Sequence, residues 1–600
     1  MQSAETVLGV LRERGRRGLP LNELYRQLFN PQLYLLAYGR IYANKGAMTP
    51  GATRETVDGM SLRKIDEITE ALRHERYRWS PVKRVHILKK NGKTRPLGLP
   101  PWSDKLVGEV VRLLLDAYYE PTFSERSHGF RPGRGCHTAL REVAKTWTGT
   151  TWFIEGDVAD CFGSFDHKIM LSTLAEKIHD GRFLRLMRNM LTAGYLEDWV
   201  WNATLSGVPQ GGVVSPILSN IYLHRLDDFV ETVLIPEYTR GRIRKQDTTY
   251  ARVRAARDRA HRRGDRATAR ELRRQVRGMP SVDPRDPGYR RLRYVRYCDD
   301  TLLGFTGPKA EAEEIKQRLA AFLRDELALE LSQDKTLITH ARTQAARFLG
   351  YEITVLHNDR KVTGGKRSAN GTVSLRVPGS VIKARKRLYT TRGKPARRPR
   401  LLNEDDHTIV STYGAEWRGI AQYYLLAGNL RSLFPLLWVM ETSMLMSLAN
   451  KHRSSVTRMA RKYAAVIDTP HGPRKCFEAR IERTGRKPLV ARFGGIPLRR
   501  NLDTVITDRV LVPGIIRHKE LVTRLLANRC EICKDDDGIT MHHVRRLADL
   551  HRPGRPQTAW AELMARQRRK TLVVCRSCHD TIHNGTSPQL TQYSLESPPR

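Results

Sequence analysis

Two adjacent aspartates set between two apolar runs constrain this chain more than any other feature. In Arg296-Tyr297-Cys298-Asp299-Asp300-Thr301-Leu302-Leu303 the flanking residues read as strands, so residues 293–305 are expected to form two strands about a sharp turn. Like charges at such short range do not both ionise cheaply. A divalent cation removes that cost, and Mg²⁺ takes carboxylate oxygens while keeping positions for substrate phosphates. A third acid, Asp157, ends the apolar run Phe153-Ile154-Glu155-Gly156-Asp157, read as a buried strand over residues 152–158. Strand-end carboxylates from separate segments can converge on two ions roughly 3.5–4 Å apart, a pair able to activate a 3′-hydroxyl and to stabilise a pyrophosphate leaving group.

The bulk charge says what such a site would work on. The 600 residues exceed what one core holds, so several domains are expected. The chain carries 105 Lys and Arg against 63 Asp and Glu, a net charge of +42. That self-repulsion calls for a polyanionic partner. The basic residues run through the whole chain, which favours nucleic acid over a membrane surface. No apolar stretch approaches the roughly 18–20 residues that span a bilayer; the best candidate, Leu433 to Met446, is interrupted by Pro435 and Glu441. Arg12, Arg14, Arg16 and Arg17 break any signal-peptide core, so the cytosol or nucleoid is the expected location. Cys136, Cys161, Cys298 and Cys476 are scattered singly, as reduced thiols are.

Local patterns supply the other elements. Residues 1–80 read as helices with loop breaks, and residues 82–100 as a β-hairpin turning at Lys90-Asn91-Gly92-Lys93. Leu106, Val107, Val110, Val111, Leu114, Leu115 and Tyr118 recur at helical spacing, with Ser103 as the expected cap. Residues 168–192 read as one helix. Residues 240–279 hold fifteen Lys or Arg and four Asp or Glu, and read as a basic helical insertion that contacts RNA phosphates. Residues 390–406 read as a domain linker, and residues 408–465 as helices rich in Tyr, Trp and Leu.

Near the C-terminus, Cys530-x-x-Cys533 and Cys575-x-x-Cys578 can close a tetrahedral zinc–thiolate knot. His579 and His583 are four residues apart, which places both imidazoles on one helix face within reach of a single cation.

An ordered series of segments carries a resemblance to known proteins. It runs from Asn44-Lys45-Gly46-Ala47-Met48-Thr49-Pro50-Gly51 through Lys89–Pro100 (KKNGKTRPLGLP), Ser127–Leu140 (SHGFRPGRGCHTAL) and Phe153–His167 (FIEGDVADCFGSFDH). Gly207–Leu223 (GVPQGGVVSPILSNIYL), the YCDD at 297–300, Leu331–Thr336 (LSQDKT) and Phe348-Leu349-Gly350-Tyr351 complete it. The chain resembles reverse transcriptases, and more narrowly the group II intron-encoded proteins, over nearly its whole length. The resemblance implies that Asp157, Asp299 and Asp300 are the catalytic metal-binding aspartates. It makes Phe162 the aromatic gate beneath the nucleotide sugar, with a core Phe as the alternative. Gln210 would line the nucleotide pocket and Lys335 would stand near the active site. Lys93 and Arg95 could clamp the triphosphate, a general template contact being the alternative. Cys298 stands where the family usually has Ala.

At the other end, Cys-Glu-Ile-Cys, His542-His543-Val544-Arg545 and the segment from Thr571 to His579 resemble an HNH nuclease of the intron type. This implies His543 as general base, with His542, His579 and His583 as metal ligands; the order within the pair 542–543 stays open. Thr571 stands near the place of the motif's usual Asn.

The implied fold is α+β and multidomain: a right-hand polymerase with a helical thumb and a C-terminal ββα-metal unit. Its expected parts are a helical extension of the fingers over 1–80, fingers and palm over 81–375 with the basic insertion at 240–292, a thumb/maturase RNA-binding domain over 400–500, a DNA-binding linker over 501–524 and the nuclease over 525–590. The implied cofactors are two Mg²⁺ ions, a divalent metal at the nuclease and Zn²⁺ on the cysteines. The implied partners are intron RNA, target DNA and dNTPs. Two other readings are a splicing maturase without active mobility enzymology, and a reverse transcriptase of a defence or diversity-generating system.

Overall fold

The computed structural model describes residues 2–584, except 89–91, 93, 199, 205, 209–210, 333, 359–360, 364–365, 368, 484–485, 507–519, 546, 551–557 and 568. Lys93 and Gln210 lie outside the described residues, as does the middle of the expected linker at 501–524.

A four-stranded antiparallel sheet forms the centre, in the order Arg291–Tyr297, Asp300–Thr306, Trp152–Asp157, Ile338–His340. Its middle strands are buried on both faces, which explains their nearly unbroken apolar runs (Leu302, Leu303 and Phe305; Phe153 and Ile154). The turn between the first two strands is a two-residue link in which Cys298 takes a left-handed φ of 57°.

The helix Ser215–Phe229 lies against this sheet and is tied to the turn from inside. Arg296, wholly buried, donates from Nε to Asp227 Oδ1 at 2.7 Å and from a terminal nitrogen to Asp227 Oδ2 at 2.5 Å. It also donates to the Cys298 carbonyl at 2.9 Å, and Tyr294 donates its hydroxyl to Asp227 at 2.8 Å. Breaking such a pair strands a charge without solvent, at about 3–5 kcal/mol. Asp227→Ala is therefore expected to lower the polymerase unit's stability by that amount in a denaturant titration, whereas a loss below about 1 kcal/mol would refute this role for Asp227.

Helices Ala4–Arg16, Pro31–Ile41 and Leu62–Arg73 pack near Trp102–Tyr119, which is buried along almost its whole length. Ser103 does not cap that helix: the cap is Pro101, and the Ser103 hydroxyl donates instead to Glu55 at 2.8 Å. The hairpin Val82–Leu88/Thr94–Leu99 forms as expected, and Val82 extends it by pairing in parallel with Tyr195. Residues 168–192 are two helices rather than one, His167–Ala175 and Gly181–Leu191. Asp180 breaks the run because its carboxylate accepts from the amides of Arg182 and Phe183, an N-cap in mid-segment. The basic insertion is a helical hairpin, Thr248–Arg262 and Arg266–Gly278, with Asp247 and Asp265 as caps.

After the central sheet come the helices Gly379–Arg387, Asp406–Tyr423, Phe434–Lys451 and Val456–Tyr463. A three-stranded antiparallel sheet follows: Ala464–Ile467, Arg474–Arg483, Arg486–Gly494. This part is thus not purely helical. Gly414 exists for the contact, since a Cβ there would meet the Arg492 carbonyl at 2.0 Å. Residues 390–406 are no free linker. Their Arg398 is 9% exposed, takes Ser447 Oγ with its amide at 3.1 Å and pairs with Glu416 at 2.7 Å. A polar, aperiodic stretch reads as a linker when its partners are distant side chains. Among the described residues one helical stretch, Leu430–Lys451, is long and apolar enough to cross a membrane, beyond what the interrupted run suggested; 56% of its 18-residue apolar window is buried against the rest of the protein, as in a core helix.

The C-terminal unit holds the helix Glu520–Leu526, the antiparallel strands Thr540–His543 and Thr571–Val574, and the helix Arg576–His583. It does not stand apart. Leu521, Val522, Leu525 and Met541 share one apolar core with the N-terminal helices. The Gly59 amide donates to the Met541 carbonyl, and the Met541 amide to the Met60 carbonyl, both at 2.9 Å.

Candidate active sites

The first site is the end of the central sheet. Register places Asp157 directly opposite Asp300, so Asp157 meets at one turn a pair of carboxylates that lies 142 and 143 residues further along the chain. Burial raises both turn aspartates. Asp299 is pushed up by desolvation and then by Asp157; Asp300 is pushed up to about 7 by desolvation, then by Asp299 and Asp157. The trio is therefore short of positive charge. Lys335 supplies part of it, with Nζ 2.7 Å from Asp157 Oδ2, and the charges of Arg95 and Lys335 both reach Asp299. Cys298 is 5% exposed and packs on Gly129, where a Cβ would meet the Cys298 sulfur at 2.4 Å. The small residue between Tyr297 and Asp299 is thus a packing requirement, and the thiol is shielded.

Phe162 sits just past Asp157, in the short helix Cys161–Ser164, edge-on to Phe165 at 6.0 Å between centroids. The following loop is stitched to it: the Val208 amide donates to the Phe162 carbonyl and the Gly207 amide to that of Phe165, each at 2.7 Å. Gly207 has φ 83°, and a Cβ there would meet the Phe162 carbonyl at 2.6 Å. Gly211 lies against Leu97 and Gly98, so the same loop approaches the strand that carries Arg95. Arg95 and Lys335 thus reach the acidic sheet end from separate elements, and Phe162 lies five residues past Asp157 on the short helix beside it.

The second site lies in the C-terminal unit. Alternation along Thr540–His543 sends the two histidine rings to different neighbours. His542 faces His579 and His583, with centroids 5.6 and 5.3 Å away. Both its ring nitrogens are buried without a hydrogen-bond partner. His543, 6% exposed, has its Nε2 3.0 Å from the Tyr38 hydroxyl. Burial lowers both His542 and His543 to about 4, so each is neutral at neutral pH and can ligate a cation or accept a proton.

Two residues of this site were invisible in the sequence. Asp58 reaches the histidines from the N-terminal region, with Oδ2 2.8 Å from His583 Nε2 and Oδ1 3.3 Å from His579 Nε2. One ligand atom each from Asp58, His542, His579 and His583 lies within 4.8 Å of the others. Tyr38 orients His543; Thr571, opposite it in the strand register, accepts from Arg524 instead. A lone Asp in a Thr-Val-Asp-Gly turn, 485 residues from His543, carries no signal of this.

Beside it stand the four cysteines. All are free thiols, and one sulfur from each of Cys530, Cys533, Cys575 and Cys578 lies within 4.8 Å of the rest. Cys533 Sγ is 3.5 Å from Cys575 Sγ and 3.6 Å from Cys578 Sγ. A tetrahedron with Zn–S near 2.3 Å has edges of about 3.8 Å, so the sulfurs fit zinc. The unpartnered His542 nitrogens are likewise what a metal site presents.

The chain is similar to known proteins along most of its length. The family model described as "Reverse transcriptase (RNA-dependent DNA polymerase)" matches residues 87–252, "Type II intron maturase" residues 375–486, and "AI2M/AI1M-like, HNH endonuclease" residues 530–579. The chain is 35% identical to the "Group II intron-encoded protein LtrA" of Lactococcus lactis subsp. cremoris, over 93% of this chain and 94% of that protein. It is 31% identical to a "Putative COX1/OXI3 intron 1 protein" of Saccharomyces cerevisiae, over 94% of this chain and 69% of that one. Among solved structures, telomerase from Candida albicans aligns at 13% identity with a TM-score of 0.34, over 64% of this chain and 58% of the other.

Proposed function

The chain belongs to the group II intron-encoded proteins, and from that premise we propose how its residues carry out the family's work. It is an RNA-directed DNA polymerase of a mobile group II intron, with a maturase domain that serves splicing and an HNH endonuclease. One observation carries the residue assignment: the register that sets Asp157 opposite Asp300. Divalent ions, Mg²⁺ in this reading, would be held by Asp157 and Asp299 with Asp300 beside them, and supply charge that activates a primer 3′-hydroxyl and neutralises the leaving pyrophosphate.

The protein's own residues do the rest. Lys335, paired with Asp157, holds that carboxylate in place. Arg95, on the hairpin that corresponds to the fingers, attracts the triphosphate of an incoming dNTP; Lys93 and Gln210 are proposed to act on the same nucleotide on the strength of their sequence motifs alone. Phe162 presents its ring where a ribose 2′-hydroxyl would collide, so the pocket prefers deoxynucleotides. The central sheet serves as palm, and the helices and sheet from Gly379 to Gly494 as a thumb that, with the basic hairpin at 248–278, meets intron RNA. Work on RNA and chromosomal DNA implies a cytosolic or nucleoid ribonucleoprotein.

At the second site, strands Thr540–His543 and Thr571–Val574 with helix Arg576–His583 supply the elements of a ββα-metal nuclease. A divalent cation held by His542, His579 and His583 would polarise the scissile phosphate. His543, neutral at its lowered pKa, accepts the proton of the attacking water. The opposite orientation of the two rings supports His542 as ligand and His543 as base. Zinc on the four cysteines supports the fold of this unit.

Primer extension on an RNA template, run beside DNA nicking, tests the reading. His543→Ala is expected to lose nicking by about 10²- to 10⁴-fold, the usual contribution of a general base, with extension unchanged. Undiminished nicking would reject the nuclease assignment, and failure of the wild-type protein to extend on RNA would reject the polymerase assignment.

A further inference from the structure

The nuclease centre described above is partly covered by the N-terminal region of the same chain. A catalytic metal of this kind keeps one coordination position free for water or substrate, beyond three protein ligands. His542, His579 and His583 already supply three. Asp58 brings a fourth, from the other end of the chain, and its oxygens lie 2.8, 3.3 and 3.5 Å from His583, His579 and His542. A carboxylate oxygen is an anionic hard donor, as a phosphate oxygen is.

The placement of Asp58 is built rather than incidental. The His543 amide donates to Asp58 Oδ1 at 2.7 Å. Gly59, at φ 81°, turns the chain so that its own amide meets the Met541 carbonyl. A second element closes the other half of the site: Tyr38 covers the base by hydrogen bonding to His543 Nε2, with Tyr42 tilted against the same ring at 6.4 Å. Residues 38–60 of the polymerase half therefore supply a fourth donor to the metal face and cover the base, while His583 stays half exposed.

We propose that Asp58 is the fourth ligand of the nuclease metal and a stand-in for the scissile phosphate, so that the polymerase half keeps the nuclease closed until this loop withdraws. This rests on the nuclease reading above. DNA must displace Asp58 to reach the cation, and the strand Thr540–His543 must part from Gly59 and Met60 to free His543. Closure makes sense for a protein of charge +42, which would otherwise hold any DNA against an active nuclease.

The test uses the full-length protein, Mn²⁺ as the metal probe and supercoiled plasmid as DNA. Asp58→Ala removes the ligand. Asp58→Asn keeps an acceptor for the His543 amide but loses the charge, which separates ligation from loop geometry. Both are expected to nick plasmid about tenfold faster than wild type, within the range of ordinary coupling between sites, and adding His543→Ala should erase the gain. In hydrogen exchange, Mn²⁺ should slow the amides of Gly59, Met541 and His543 in the wild type and not in Asp58→Asn. Equal or slower nicking by both variants, or Mn²⁺ protection of Gly59 independent of Asp58, would overturn the closure while leaving the nuclease intact. Absence of any Mn²⁺ effect over Thr540–His543 and Arg576–His583, together with no nicking by any form, would overturn both.

Discussion

Asp157→Asn and Asp299→Asn should each reduce RNA-templated DNA synthesis by on the order of 10³-fold or more, with binding to intron RNA preserved. Each change keeps the shape of the side chain and removes the charge. The three carboxylates share one sheet end, and burial and mutual repulsion already lift Asp299 and push Asp300 up to about 7. Nothing but cations makes that arrangement favourable, so the site is designed around them. A metal clamp on a transferring phosphoryl group contributes several kcal/mol, and each 1.36 kcal/mol is tenfold in rate. Loss of one ligand therefore removes several decades. Single-turnover primer extension against a filter-binding control is the measurement, and a variant within tenfold of wild type would remove Asp157 or Asp299 from the metal site. Asp300→Asn should be milder, since Asp157 and Asp299 are the residues expected to bear most of the coordination.

Cys530→Ser should release zinc and unfold the C-terminal unit, the largest stability effect expected anywhere in the molecule. Structural zinc supplies about 10–16 kcal/mol in isolated zinc-finger peptides. The cysteine knot here joins the loop after Glu520–Leu526 to the start of Arg576–His583, so it ties the ends of a unit whose own sheet is two short strands. Without the metal four thiols within 4.8 Å have nothing to hold them together. The unit's packing on the N-terminal helices through Leu521, Val522 and Met541 softens the loss without replacing it. Zinc content measured by mass spectrometry should fall by one ion per chain. Amides of Thr540–His543 should then exchange freely, nicking should vanish, and primer extension should survive. A folded, zinc-free variant would show that the cysteines are ordinary core thiols.

What the sequence by itself determined was chemistry carried by contiguous residues. The aspartate pair between apolar runs forms the strand–turn–strand it implies, because an apolar run buried on both faces fits a central strand and the polar pair fits the turn beside it. Each cysteine pair, and the histidines one helical turn apart, also assemble as spaced, since local geometry places the members of each pair together. Where a polar side chain chose between local and distant partners, the sequence misled. Ser103 turned to Glu55 rather than capping its helix, Asp180 ended a helix in mid-run, and Arg398 buried itself in what read as a linker.

Only the tertiary structure decided that the nuclease unit docks on the N-terminal helices and that Asp58 and Tyr38 enter its centre. Nothing near residue 58 differs locally from any other acidic turn. Its role arises from two backbone hydrogen bonds and a shared apolar core that join segments nearly 500 residues apart. Contacts across that distance depend on the shapes of whole domains, which no periodicity or motif encodes.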